Sequence, residues 1–392
     1  MKSRKLKHTR RRASILTAAA ASAVAGAALL PNWNAGASTA AEPQVDAKTR
    51  AAFQSLADAV FTDRTNALVD RPRHGRGKAL TEGFSGRVEL SSGTGRTEDA
   101  ALKQLGDRRN RLARSGEKYS AGSTTVTLDR TSVKGRTAVV TVTENTTLTY
   151  AKVAGGEPGT TGFEAHHELT FKADKKGAWK LTKIRETGDS SLAVNQLARP
   201  MTAPVPAKAT STTPSAPRAA ITKRPPAAPK NLTGGEYDYK AMAAYAEKYW
   251  SNYNPAYPNF NGSGAGGDCT NFVSQSLKAG GWKHVSGYVY DYTRWFGTAD
   301  IQSHSFVGVN EWSWFAQNSK RTTSLANVYQ LDVGDVLQVD FDKDGSKDHT
   351  MIVTSRRNGV PYLTYHSTNT LRRSVTSIIS ANPNAAYYAY RT

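Results

Sequence analysis

Residues 199–230 hold eight of the chain's sixteen prolines and six basic side chains but no acid, with Ala, Ser and Thr filling most of the remainder. A stretch so poor in large apolar residues cannot bury a core, and its prolines favour an extended, solvated path. It divides the 392 residues into two segments, each long enough to build a core of its own. The expected organisation is a signal peptide at 1–37, an α+β domain at 47–190, a basic Pro/Ala/Thr-rich linker at 199–235 and a second domain at 236–392.

The first segment begins with seven bases between Lys2 and Arg12, followed by an Ala-rich apolar run from Ala13 to Leu30. Small residues at Ala35 and Ala37 then offer a cleavage site, so the layout predicts export and leaves no stable membrane span after cleavage. Arg11-Arg12 leaves both the general secretory and the twin-arginine routes open, and localisation is expected outside the cell or in its wall. Net charge is +20. Residues from Glu236 onward carry 14 bases and 13 acids, so the excess lies in the front half and the linker. Such a field suits anionic wall polymers or lipid surfaces, and nucleic acid only non-specifically.

Phe53, Leu56 and Val60 recur at helical spacing within 47–69, and a second helix is expected over about 98–112. Ala138, Val140, Val142, Leu148 and Tyr150 share one strand parity. Phe163, Ala165, His167, Leu169 and Phe171 share another, and Trp179 with Leu181 opens a last strand. His166 and His167 fall on opposite faces, so the pair cannot chelate one metal, and His167 reads as a core histidine. Helices followed by antiparallel strands make an α+β domain whose element order resembles the SnoaL-like cone fold.

An exported chain with one cysteine cannot close an internal disulfide, so the setting of Cys269 decides what that thiol is for. It stands in GGDCTNFVSQSLKAGGW, where Cys269, Phe272, Val273, Ser276 and Leu277 mark one face of a helix that Asp268 can cap and Gly280-Gly281 can end. A cysteine in a first helical turn meets unpaired N–H groups and the positive end of the dipole, which favour a thiolate. That effect is worth about 0.3–1 kcal/mol. Lowering a thiol pKa by two units takes about 2.7 kcal/mol, so a charged partner is required. His284, His304, His349 and His366 are the candidates. His349 opens the apolar run HTMIV, and Asn358-Gly359 turns a hairpin that returns YLTYH, bringing His366 beside the start of the His349 strand. A helix-borne Cys facing a strand-borne His, with a polar residue to orient it, is the logic of a catalytic triad.

GGDCTNFVSQ, GDVLQVDFDKDGSKDH and the aromatic patch around Trp312 together resemble the "Putative amidase domain" family of bacterial secreted proteins, and more distantly NlpC-type and CHAP-type peptidases. The resemblance spans about residues 236–392. It implies a papain-like α+β fold and hydrolysis of amide bonds, with peptidoglycan peptides as expected substrate. Cys269 matches the nucleophile, His349 the base and His366 the third polar position, with Asn369 as a substitute for His366. Tyr257, twelve residues before the cysteine, stands where NlpC-type enzymes place an active-site tyrosine. The implied chemistry is acyl transfer, in which His349 takes the thiol proton, Cys269 attacks the carbonyl and its backbone N–H supports the oxyanion.

Asp340, Asp342, Asp344, Gly345 and Asp348 follow the first nine positions of a calcium loop, while Met351 replaces the closing glutamate. Calcium is therefore a candidate ligand of this turn, whose other reading is a solvated acidic hairpin. Nothing in the acyl-transfer scheme requires a cofactor. The aromatics between Tyr288 and Phe315 read mainly as core, with some available to line a groove. A zinc amidase lacks H-E-x-x-H or Cys-rich spacing here. A non-enzymatic wall-binding protein and a papain-like acyl transferase or deamidase remain the alternatives.

Overall fold

The computed structural model describes residues 45–70, 80–81, 88–153, 155–187, 192–196, 213–222, 229–232, 234–261 and 267–392. The expected signal peptide lies outside them. The fold is mixed α+β. Among the described residues no helix is long and apolar enough to cross a membrane.

In the front segment α1 (Ala47–Leu68) starts at Asp46, whose side chain accepts from Thr49 N–H, and α2 (Ser92–Arg114) starts at Ser91 in the same way. A short β1 (Val88–Leu90) precedes α2. Four strands follow: β2 (Tyr119–Lys134), β3 (Thr137–Tyr150), β4 (Thr160–Ala173) and β5 (Trp179–Glu186). The residues predicted to share a parity on β3 and β4 are buried, and they pack with Phe53, Leu56 and Val60 of α1 and their neighbours. His167 is a core histidine, fully buried, bonded to Glu144 and stacked on Phe61. The polar, largely exposed β2 gave no clear alternation in the sequence, and its pairing along β3 defines it instead.

The later segment contains α3 (Tyr239–Tyr249), α4 (Cys269–Ala279), α5 (His304–Val307), α6 (Val309–Asn318), β6 (Thr323–Leu325), β7 (Val336–Asp340), β8 (His349–Arg357), β9 (Val360–Tyr365), β10 (Asn369–Ser374), α7 (Val375–Ala381) and β11 (Ala386–Arg391). The sheet runs β1-β5-β4-β10-β9-β8-β7-β11-β6, so the antiparallel β4–β10 pair carries it from one segment into the other. Asn358 and Gly359 both have positive φ, and Arg357 pairs with Val360, which is the expected two-residue hairpin.

Two apolar layers sandwich this half of the sheet. Phe272, Val273, Trp282, Trp312, Val336 and Ile352 form the layer under α4; Leu337, Met351, Val353, Tyr365 and Val375 form the layer under α7. Of the aromatic run, Trp295, Phe306, Trp312 and Phe315 fill the first layer, whereas Tyr288 and Tyr290 are exposed.

The described parts of 199–235 correct the picture of a solvated linker. Ala219 N–H bonds the Tyr387 carbonyl, Ala220 bridges Asn327, and the Lys230 ammonium meets Asp335 at 2.7 Å and the Tyr239 ring at 3.5 Å. Alanine keeps both its N–H and its carbonyl, and proline its carbonyl, to bond an existing sheet and loops, which composition alone does not reveal. Trp312→Ala, emptying a fully buried site in the α4 layer, is expected to cost about 3–5 kcal/mol, read from the midpoint of urea unfolding.

Candidate functional site

The chain enters α4 through a turn that only glycine permits. Gly267 has φ +101°, and a Cβ there would lie 2.5 Å from Ser367 Oγ. Asp268 N–H then donates to Asn261 Oδ1 at 3.0 Å and to Ser367 Oγ at 3.1 Å. The Asp268 side chain makes no cap for α4, contrary to expectation. It is buried and accepts from Phe260 N–H and Asn271 Nδ2 on one oxygen, while the other lies 2.7 Å from His366 Nδ1. His366 Nε2 faces the Tyr249 carbonyl at the end of α3, 2.8 Å away, and the ring lies between Phe272 and Tyr253. The Tyr249 carbonyl can only accept, so Nε2 donates to it, and Nδ1 shares its hydrogen bond with the Asp268 carboxyl.

Cys269 is the first residue of α4 and is 2% exposed. Thr270 Oγ1 lies 3.8 Å from its sulfur, and the nearby backbone of Thr350 and of Thr270 favours the ionised form. Burial pushes the thiol up to about 11, against this pull. The expected thiolate is corrected by magnitudes. A rise of two units corresponds to about 3 kcal/mol, more than the roughly 0.3–1 kcal/mol a helix terminus returns.

Strand alternation decides where the histidines go. Thr350 faces α4, with its Oγ1 2.9 Å from Thr270 Oγ1 and within reach of Gln338. His349, one residue earlier, joins the opposite layer, its ring edge-on to Tyr365 at 5.1 Å. Burial, and then the Arg373 charge, pushes its imidazole down to about 3. His349 Nε2 is buried with no hydrogen-bond partner among the described residues. The pairing Ile352↔Thr364 puts His366 at the same end of the sheet as His349, as expected, but on the α4 face. His366 therefore clasps Asp268 and does not orient His349. Among the described residues no hydrogen bond joins Cys269 to either ring.

The remaining candidates are also placed. Asn369 Oδ1 accepts from Tyr253 OH at 2.7 Å, and its Nδ2 donates to Glu164 of β4 at 3.1 Å, so it substitutes for nothing at His349. Tyr257 OH accepts from Lys278 in the last turn of α4, and its ring stacks on Phe306. At 1.5 Å per residue that turn is about 13 Å from Cys269, so this tyrosine serves the far end of the helix. Tyr253, four residues earlier, is the tyrosine that reaches the His366 ring. Sequence spacing says nothing about how the 250–261 loop folds back, so it does not rank Tyr253 above its neighbours Tyr249 and Tyr257. Glu164 and Thr350 carried no sequence signal at all.

Asp340, Asp342 and Asp348 bring carboxylate oxygens within 4.8 Å of one another, whereas Asp344 stands outside that group and accepts from Ser346 N–H. Asp344 is thus apart from the other three expected ligands, although all four carboxylates accept backbone N–H groups of the turn. Burial, ahead of its acidic neighbours, pushes Asp348 up to about 6, and its Oδ1 is buried with no hydrogen-bond partner among the described residues. Three oxygens of this kind fit a hard divalent cation such as calcium.

Residues 236–390 match the family model described as "Putative amidase domain". Two uncharacterized proteins of Bacillus subtilis (strain 168) are similar to it. YhbB is 35% identical over 127 residues, covering 32% of this chain and 39% of YhbB. YjcM is 34% identical over 146 residues, covering 36% of this chain and 34% of YjcM. The chain thus spans well under half the length of these relatives. Among solved structures, the intermembrane space region of chloroplast protein ARC6 shares 21% identity at a TM-score of 0.23, covering 37% of this chain and 98% of that one. Kfla4162 from Kribbella flavida shares 16% at 0.24, covering 36% and 92%. Scores this low carry no structural argument.

The raised thiol makes a pH prediction. The native protein holds the Cys269 proton to about pH 11, against 9.0 ordinarily, so the unfolded chain releases it first and stability falls as pH rises from about 9 to 11. Cys269→Ala removes that component, at most about 3 kcal/mol. The two proteins' unfolding free energies are expected to converge on going from pH 8 to pH 11, and iodoacetamide should modify the native thiol slowly at pH 7.

Proposed function

We propose that residues 236–392 form a cysteine-dependent amide-bond hydrolase of papain-like mechanism, with Cys269 as nucleophile and His349 as base. The sulfur sits at the head of a buried helix, and the neighbouring histidine is neutral with one nitrogen unpartnered among the described residues. His349 takes the thiol proton, the sulfur attacks the carbonyl carbon, and the unpaired N–H groups at the start of α4 receive the developing oxyanion. His349 then returns the proton to the leaving amine, and water releases the acid.

Burial raises the thiol and lowers the imidazole, which opposes proton transfer, and the two side chains lie on opposite faces of the sheet, so the described arrangement is a closed one. Substrate binding has to bring the ring of His349, at the first residue of its strand, around the end of the sheet and admit polar groups to the sulfur.

The N-terminal basic-apolar layout supports export, and the net positive charge of the front half supports contact with anionic wall polymers, so peptidoglycan peptides are the proposed substrate. The buried, protonated thiol favours a second reading, a wall-binding protein without catalysis. Incubation of the purified protein with peptidoglycan and peptide amides, followed by mass spectrometry for new amines and carboxylates, separates the two. Cys269→Ala and His349→Ala are each expected to lower hydrolysis at least ~1,000-fold. Unchanged hydrolysis in Cys269→Ala would remove the cysteine mechanism, and amine incorporation in place of hydrolysis would mark a transferase.

A further inference from the structure

The front segment touches the site through a line of side chains whose donor and acceptor roles are set from one end. Glu164 on β4 lies opposite Asn369 in the β4–β10 register, and its carboxylate only accepts, so Asn369 must point Nδ2 at it, 3.1 Å away. Asn369 Oδ1 then faces Tyr253 OH, which donates at 2.7 Å. The Tyr253 oxygen, its proton committed, accepts from Asn261 Nδ2. Asn261 Oδ1 is left to accept from Asp268 N–H at 3.0 Å and Ser367 OH at 3.2 Å. The line ends on the peptide N–H immediately before Cys269, and its Tyr253 ring rests on His366.

Each amide in such a line can be flipped at little intrinsic cost, so only a terminus of fixed polarity makes one orientation unique. Here one terminus is the acceptor-only Glu164 and the other the donor-only N–H of Asp268. The two agree, and every intermediate group is satisfied in one sense only. Glu164 also has the exposed His166 ring at 3.9 Å, outside the line. Further bonds cross the same seam, Thr161 Oγ1 to the Leu371 carbonyl and Tyr150 OH to the Arg372 carbonyl, so the β4–β10 junction is more than one pair of residues.

We propose that Glu164 is a positioning residue for the head of α4, so that the front segment is a built-in part of the hydrolase site and sets the geometry and accessibility of Cys269. This rests on the reading of Cys269 as nucleophile only for its effect on turnover, since the effect on the sulfur's setting stands without it. A cation at position 164 would turn Asn369 over, present Nδ2 to Tyr253, and propagate a reversed sense to Asn261, whose amide would then oppose Asp268 N–H donor to donor.

The test uses the full chain. Glu164→Lys, Glu164→Gln and Tyr253→Phe are compared with Glu168→Lys, a charge reversal on the same strand at a residue paired with Arg185 outside the line. The readouts are the alkylation rate of Cys269 by iodoacetamide across pH 7–11 and, with peptide amide substrate, kcat and KM separately. Glu164→Lys and Tyr253→Phe are expected to change the alkylation rate at least tenfold and to lower kcat at least tenfold with KM within about threefold. Glu164→Gln, which can accept the same N–H, should recover most of both, and Glu168→Lys should match the parent. If Glu164→Lys does not fold, Tyr253→Phe, which keeps the ring on His366, decides alone. Parental alkylation profiles in the variants that fold overturn the proposal. A changed profile together with hydrolysis that survives Cys269→Ala upholds the coupling and removes the cysteine mechanism instead.

Discussion

Asp268 and His366 meet inside the protein, and three elements take their positions from that contact. The carboxylate holds the loop before α4 through Phe260 N–H and the first turn of α4 through Asn271, while the imidazole ties the end of β9 to the last carbonyl of α3. Burying such polar groups costs several kcal/mol unless their hydrogen-bonding capacity is met, and here each partner makes more than one bond. The pair is better regarded as a device that specifies one arrangement of α3, α4 and β9 than as a source of net stability.

The same close packing that satisfies Asp268 keeps Cys269 dry. Water exclusion raises the thiol and lowers His349, and the sheet itself stands between the ring and the sulfur. On the proposed mechanism this packing protects the thiol at the expense of a conformational step before chemistry. The place for that step is the end of the sheet where β8 begins, because the acidic turn of Asp340, Asp342 and Asp348 runs directly into His349.

How far the sequence could be read varied with how local each signal was. The α4 helix, its glycine stop and the Asn358-Gly359 hairpin were legible because each depends on neighbours a few residues apart. The parities of β3 and β4 were legible for the same reason. Strand β2 was not, since Thr and Ser on a half-exposed strand show little contrast between faces. Candidates for the site could be named from the sequence, but not their wiring. Cys269, His349 and His366 stood out by residue type and motif. Yet the register that puts His366 on one face and His349 on the other depends on where the hairpin closes, and one residue of difference exchanges the faces.

By itself the sequence determined the chemical inventory of this protein: one thiol at a helix start, a few histidines on strands, an acidic turn, and a basic, proline-rich stretch at 199–230. Local rules of periodicity, capping and turn chemistry suffice for these. Tertiary structure alone decided which of these groups touch. It gave Asp268 to His366 instead of to the helix cap, drew the described pieces of the proline-rich stretch onto the sheet, and joined Glu164 to Asn369 across a seam between segments about 200 residues apart. The reason is physical. Contacts of long sequence separation, and the protonation states that burial imposes, are properties of the packed interior, and no window of neighbouring residues contains them.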